Sequence, residues 1–331
     1  MKNFTYFQPN SVKQAVGLLD AKWGTTELLA GGTDLLDLQK EYIAQPDKVV
    51  SLTGIKELTT IEAGNAGAKI GAGAKLSAIA EHTALKKLYP ALTDAAGDVG
   101  GPQIQNMGTL GGNLCQRNRC WYFRDEHVNC LLKGGTTCFA LNGENQYHAI
   151  FTTGHKCVIV HPSTLAPGLI ALGATAEVAG PKGSRTVELA KFFQAPTGPT
   201  QREHTLAANE LVVSVSIPAK GAKNASYEVR HKQAYDWPLV QAAVAFNYEG
   251  GKASNVRIVL GHVAPTPHLS EAAAKALEGK AVDEATATAA GKAAAEGAKP
   301  LSQNAYKVKL VEVAVKRALL TAAGGKKYWE M

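Results

Sequence analysis

Two short glycine pairs constrain this chain more than any other feature. The first sits in Leu28-Leu29-Ala30-Gly31-Gly32-Thr33-Asp34-Leu35, where an apolar run breaks at the glycines and a helical pattern restarts at Asp34. The second sits in Thr109-Leu110-Gly111-Gly112-Asn113. A residue without Cβ permits a tight turn and lets backbone N–H groups approach an anion. Thr33 offers a hydroxyl donor, and Asp34 is placed to cap the next helix. Either segment alone reads equally well as ordinary turn chemistry. As a pair, each with a hydroxyl neighbour, they fit a diphosphate clasped from two sides. Gly71-Ala72-Gly73-Ala74 matches neither GxGxxG nor the phosphate-loop pattern and is read as structure.

The surrounding periodicity gives three units. Residues 1–57 combine a short amphipathic helix (Val12, Ala15, Val16, Leu19) with apolar strands at 27–30 and 48–52, a small α/β unit. Residues 58–180 open with a hairpin (59–61, 69–72) and a helix over 76–87, and close with apolar helix and strand over 165–180. Residues 186–325 hold a β-branched strand at 211–217 stopped by Pro218, strands at 239–246 and 256–260, and helices over 270–279, 284–297 and 304–322. That last unit reads as α+β with an antiparallel sheet of three or more strands. At 331 residues the chain has room for such a division.

The stretch 116–160 interrupts the second unit. It is polar and aromatic, lacks clear periodicity and holds Cys120, Cys130, Cys138 and Cys157. Such an insertion needs something other than a core to hold it together. The fifth cysteine, Cys115, follows directly on the second glycine pair and is taken as the odd one out. An odd count without an export signal argues against a disulfide framework, and no CxxC pair suggests a zinc ribbon or a thioredoxin-type site. Bound metal, free thiols and a redox disulfide all stay open on the residues alone. His127, His148 and His155 lie among the cysteines and read as surface or hydrogen-bonded groups. Arg117, Arg119 and Arg124 fit either charge balance for a cluster or phosphate, or a solvated loop.

Several function classes drop out. The net charge of +7 is spread without a basic run or an aromatic-interleaved stripe, so nucleic-acid binding is not expected. A mildly basic surface suits a bound pyrophosphate or an acidic partner subunit. Met1-Lys2-Asn3-Phe4-Thr5-Tyr6 begins no apolar signal region, and no stretch of about 18 apolar residues offers a membrane span. No GxSxG, HExxH or paired-carboxylate arrangement points to a hydrolase, and no catalytic residue is assigned.

Ala30-Gly31-Gly32-Thr33-Asp34-Leu35 together with Thr109-Leu110-Gly111-Gly112-Asn113 resembles the two flavin-loop signatures of the xanthine dehydrogenase / carbon monoxide dehydrogenase family. There they belong to the medium, FAD-binding subunit. Arg230-His231-Lys232-Gln233-Ala234-Tyr235-Asp236-Trp237 and Ile258-Val259-Leu260-Gly261-His262-Val263-Ala264-Pro265 resemble its C-terminal domain, so the likeness runs over about 4–322. The phrase Gln116-Arg117-Asn118-Arg119-Cys120-Trp121-Tyr122-Phe123-Arg124 resembles a smaller branch, the FAD subunits of 4-hydroxybenzoyl-CoA reductase and of bacterial three-subunit aldehyde oxidoreductases. In that branch four cysteines of the insertion bind an extra [4Fe–4S] cluster.

The resemblance implies a two-domain α+β fold of the vanillyl-alcohol-oxidase type with a C-terminal α+β domain of antiparallel sheet and helices. It implies FAD held by residues 28–35, Thr109, Gly111, Gly112 and Asn113, with Thr164 nearby, and a [4Fe–4S] cluster on Cys120, Cys130, Cys138 and Cys157. It also implies a large molybdenum-cofactor subunit, a small [2Fe–2S] subunit and a cytoplasmic setting, or export through a partner's signal. The sequence departs from the family at two places: Thr164 stands where aspartate is usual, and Glu228 where a lysine is common. Two rival readings are a self-contained flavin oxidoreductase and a non-enzymatic FAD-binding regulator. The first would need its own acid or base over the flavin, and the second has no use for four clustered cysteines.

Overall fold

The computed structural model describes residues 1–326 apart from 153, 220, 221 and 233, so Gln233 of the C-terminal motif lies outside the described residues. The chain opens with strand β1 (Thr5–Phe7), helix α1 (Val12–Leu18), β2 (Thr26–Leu29), α2 (Leu35–Lys40) and β3 (Lys48–Ser51). The three strands form a parallel sheet in the order β1-β3-β2. Ser11 caps α1 by accepting a hydrogen bond from the Gln14 amide. Ala15 on that helix packs, fully buried, with Val50, Ile55 and Leu58.

Strands β4 (Ile61–Gly64) and β5 (Gly67–Gly71) make the expected hairpin. The helix predicted over 76–87 is two, α3 (Leu76–Glu81) and α4 (Thr83–Leu88), because His82 leaves helical geometry and caps α4 through Nδ1. Helices α5 (Pro90–Asp98) and α6 (Pro102–Met107) each start on a proline, whose missing N–H costs nothing in a first turn. Then come α7 (Leu110–Cys115), the cysteine insertion with α8 (Trp121–Arg124), α9 (Leu165–Ala171), and strands β6 (Thr175–Gly180), β7 (Gly183–Glu188) and β8 (Leu211–Pro218). The strand at 211–217, expected to open the C-terminal unit, instead lies in the middle of this sheet, whose order is β4-β5-β8-β6-β7. It pairs antiparallel with β5 and β6, placing Val215 opposite both Ile70 and Ala176. A β-branched run announces a strand but carries no record of its partner.

The last unit is an antiparallel sheet of β9 (Lys223–Val229), β10 (Val240–Glu249), β11 (Lys252–Gly261) and β12 (His268–Leu269) in the order β12-β11-β10-β9. Helices α10 (Glu271–Leu277), α11 (Glu284–Ala294) and α12 (Tyr306–Ala322) cover one face. Val311, Ala314, Val315, Ala318, Leu319 and Ala322 form the buried stripe of α12 at helical spacing. The larger of these side chains each contribute roughly 1.5–3 kcal/mol by leaving water. Ala242, Val244 and Phe246 of β10 point into that helical core, while Ala243 and Ala245 point the other way, into the core of the preceding unit. Both faces of β10 are therefore dry, and α5 and α9 pack on the far side. Asn224 ties this junction, accepting from the Ala91 amide at 2.9 Å and donating to the Leu88 carbonyl at 3.0 Å.

Candidate functional site

The two glycine pairs approach each other, but their four glycines do different work. A Cβ on Gly31 would stand 1.9 Å from the Met107 carbonyl oxygen, and one on Gly111 would stand 2.9 Å from the Ala72 Cβ. Those two glycines let backbone pack on backbone. Gly32 has φ +76°, a conformation other residues rarely adopt. Gly112 lies in the first turn of α7, so the second pair opens a helix rather than forming a free turn, and Thr109 caps it by accepting from the Gly112 amide at 3.1 Å. A Cβ on Gly112 would meet only Thr109 Oγ1 at 3.0 Å and, across a gap, Ala30 Cβ at 4.0 Å. This gap between the two segments is the place a side chain would fill.

A cavity opens on each side of the gap. The first, about 250 Å³, runs past Leu28, Ala30, Gly31, Gly32 and Leu35 to Trp23 and Leu19. The second, about 330 Å³, runs past Asn113 and Thr164 to Asp98, Tyr235 and Trp237. Thr33, Asp34, Thr109, Gly112 and Gln116 line both. A dinucleotide has the same plan: a base at one end, a ring system at the other and a diphosphate between them. A gap between the two glycine segments with a cavity on either side therefore fits FAD.

The remaining sequence-predicted residues fall around this axis. Leu29 lies on β2 beside Gly32 and lines neither cavity. Asn113 is buried, and its Oδ1 accepts from Ser163 Oγ at 2.6 Å, which sets the segment leading into α9. Thr164 is buried at the wall of the second cavity, and its carbonyl accepts from Gln241 Nε2 at 2.8 Å. Asp34 does not cap α2. Its carboxylate accepts from the Arg117 amide at 2.8 Å and from Arg124 at 2.6 Å, and pairs with Arg119 at 3.1 Å. The first glycine segment is thus clamped to the start of the cysteine insertion.

The arginines of the insertion are neutralised by carboxylates rather than left in solvent. Arg117 Nε donates to Glu203 at 2.7 Å, and Asn118 donates to the same carboxylate through its amide and its side chain at 3.1 and 2.8 Å. Glu203 is fully buried. Burial alone would raise its pKa, but the Arg117 charge and the Asn118 hydrogen bonds outweigh that and hold it below the usual value. Arg119 lines the second cavity and stacks on Trp237 at 4.8 Å. Glu203 and the cavity residues Trp23 and Arg202 carried no local pattern that marks them in the sequence. The Glu228 side chain is buried, its oxygens make no hydrogen bond, and its pKa is pushed up to about 8, first by burial and then by the Asp98 charge, against the pull of Arg230 at 3.9 Å.

Cys120, Cys130, Cys138 and Cys157 line one small cavity with Tyr122, Phe123, Leu132, Phe139 and Ile159. Against the expectation of an insertion without a core, Phe123, Cys130, Leu132, Cys157 and Ile159 pack with Leu38 in a small apolar cluster that includes two of the thiols. Cys138 and Cys157 hydrogen-bond to each other, which pushes the Cys138 thiol down to about 6 and the Cys157 thiol up. Cys115 stands apart, at the first cavity, where burial pushes its thiol up to about 12. Among the described residues, no three Cys, His, Asp or Glu side chains converge closely enough for one metal ion. A four-iron cube spaces its thiolates more widely than a single ion does, and an all-sulfur lining is the donor set it takes. His148 Nε2 lies 3.2 Å from Cys120 Sγ, the hydrogen-bonded role expected of it.

Comparison with known proteins agrees with this geometry. Residues 2–220 match the family described as FAD binding domain in molybdopterin dehydrogenase, and residues 225–322 match the CO dehydrogenase flavoprotein C-terminal domain. The chain is 34% identical over 277 residues to the aldehyde oxidoreductase FAD-binding subunit of Escherichia coli, covering 82% of this chain and 85% of that one. It is 30% identical over 325 residues to the carbon monoxide dehydrogenase medium chain of Hydrogenophaga pseudoflava, covering 96% of each. Among solved structures, carbon monoxide dehydrogenase from that organism superposes with a TM-score of 0.76 at 28% identity, over 97% of both chains. Quinoline 2-oxidoreductase from Pseudomonas putida superposes with 0.77 at 25% identity, over 99% of this chain and 100% of the other. With residues 2–220 and 225–322 both matched, the chain belongs to the FAD-binding medium subunits of the xanthine dehydrogenase / carbon monoxide dehydrogenase family of molybdenum hydroxylases.

Proposed function

We propose that FAD lies along the two cavities with its pyrophosphate in the gap between Ala30–Thr33 and Thr109–Asn113, and that Cys120, Cys130, Cys138 and Cys157 hold a [4Fe–4S] cluster beside it. When bound, FAD supplies the one- and two-electron chemistry; the chain supplies binding, orientation and electrostatics. The amides of Leu110, Gly111, Gly112 and Asn113 donate within the chain, so the backbone donors offered to the phosphates are those of Gly31, Gly32 and Thr33, while Thr33 and Thr109 line the gap from opposite segments. Arg119 and Trp237 stack against each other in the second cavity, with buried Thr164 on its wall, at the end assigned to the ring system.

In this reading substrate turns over on a large molybdenum-cofactor subunit. A small [2Fe–2S] subunit exchanges electrons with this one, which passes them to an external redox partner. Among the described residues no helix is long and apolar enough to cross a membrane. Five cysteines, none of them in a disulfide, suit the reducing cytoplasm as the setting. The observation that carries the cluster is the gathering of four thiols, drawn from 38 residues of chain by the numbering of Cys120 and Cys157, onto one small cavity, while Cys115 lines another. Anaerobic purification of the complex with iron and zinc counted together tests it. Iron beyond the small subunit's share supports the assignment, and zinc or no metal in this chain contradicts it.

A further inference from the structure

We propose that His148 is a hydrogen-bond donor to the Cys120 sulfur and sets the reduction potential of the cluster. This assignment rests on the four-cysteine reading above. The imidazole Nε2 lies 3.2 Å from Cys120 Sγ, yet His148 is not among the residues that line the four-thiol cavity. It therefore approaches the sulfur from outside, as an orienting neighbour of a ligand does, and not as a fifth ligand.

The ring is held in that position from several directions. It is buried, with Trp121 at 5.4 Å and Tyr122 at 6.4 Å between ring centroids. The His148 amide donates to the Asn145 carbonyl at 3.0 Å, and the His148 carbonyl accepts from Asn304 Nδ2 at 3.1 Å. Lys307 Nζ, itself buried, donates to the neighbouring Tyr147 carbonyl at 2.9 Å. The ring nitrogen on the far side, Nδ1, is buried without a partner. Leaving one ring nitrogen dry is adverse unless the other makes a strong bond, and a charged thiolate accepts more strongly than a neutral thiol. Cys120 as a cluster ligand is such an acceptor, which fixes the proton on Nε2.

A hydrogen bond to a ligating sulfur stabilises the more negative, reduced cluster over the oxidised one and so raises its potential. Removing a bond of this kind, to a charged acceptor, changes the ratio of reduced to oxidised cluster by about tenfold at a fixed potential. The test uses the whole complex, purified without oxygen, with His148→Phe, which fills the ring space without a donor, and His148→Gln, which keeps an N–H. Iron content, and the cluster potential from a redox titration followed by electron paramagnetic resonance, are read for each. The expected result is full iron in all three proteins, a wild-type potential for Gln, and for Phe a shift to more negative potential of the stated tenfold. Nitrogen hyperfine coupling in the reduced signal should be present in the wild type and absent in Phe. Full iron with an unchanged potential in Phe overturns the assignment. Loss of iron in both variants does too, since it makes His148 a ligand or a wedge. A wild-type complex without any four-iron signal removes the cluster itself, a failure visible before either variant is made.

Discussion

Gly112→Ala separates FAD binding from folding. The new methyl would meet Thr109 Oγ1 at 3.0 Å and Ala30 Cβ at 4.0 Å, with no other non-adjacent atom within 4 Å. For the fold, alanine in a helix gains about 1 kcal/mol over glycine, and the tight Thr109 contact takes back part of that. Stability should stay within about 1 kcal/mol of the wild type. For the ligand, the methyl stands in the gap assigned to the pyrophosphate. Hydrogen bonds to charged groups are worth about 1.5–3 kcal/mol each, so displacing the phosphates from one or two amides costs about 3 kcal/mol. That corresponds to roughly a hundredfold weaker dissociation constant. FAD-free protein titrated with FAD, read by quenching of flavin fluorescence, gives the affinity, and a thermal melt gives the stability. A variant that melts like the wild type and binds FAD with unchanged affinity would show that the pyrophosphate lies elsewhere.

Other perturbations address neighbouring parts. Glu228 binds a proton in the folded chain that the unfolded chain has released above its ordinary value of 4.5, so stability falls as pH rises from there to about 8. Glu228→Gln should therefore match the wild type at acid pH and exceed it by on the order of a few kcal/mol above about pH 8, read as melting temperature against pH; a pH-independent difference would count against a buried neutral acid. Serine at Cys120, Cys130, Cys138 or Cys157 should remove this chain's iron, while Cys115→Ser keeps it, by anaerobic metal analysis; iron loss in Cys115→Ser alone reverses the assignment. Glu203→Gln leaves Arg117 buried without its counter-charge and should lower stability by about 3–5 kcal/mol in a denaturant titration. An unchanged midpoint would mean that the pair contributes no net stability.

What could be read ahead of the structure was what is local in the chain. The glycine segments, the hairpin at residues 59–72 and the apolar stripe of α12 each declare themselves within a few residues. The division of labour among the glycines was hidden, because Gly31 is set by Met107 and Gly111 by Ala72, both distant in sequence. Glu203 was invisible for the same reason: it meets Arg117 across 86 positions, and a lone Glu in a loop looks like any solvated acid. Strand β8 looked C-terminal because it follows the change of character near residue 186, yet hydrogen bonding to β5 and β6 decides its sheet. Asp34 stood where a helix cap belongs and instead serves the insertion, a choice made by arginines more than 80 residues away. The four cysteines were grouped by their shared stretch of chain, and the common cavity adds what spacing alone cannot, a single place where all four arrive.

The most direct measurement is the flavin content of the purified complex after acid precipitation. Because neither glycine segment offers a histidine or cysteine for covalent attachment, FAD should appear in the supernatant at about one per chain of this subunit. Protein without flavin, or flavin that stays with the pellet, would contradict a non-covalent FAD site in the gap between the two glycine segments.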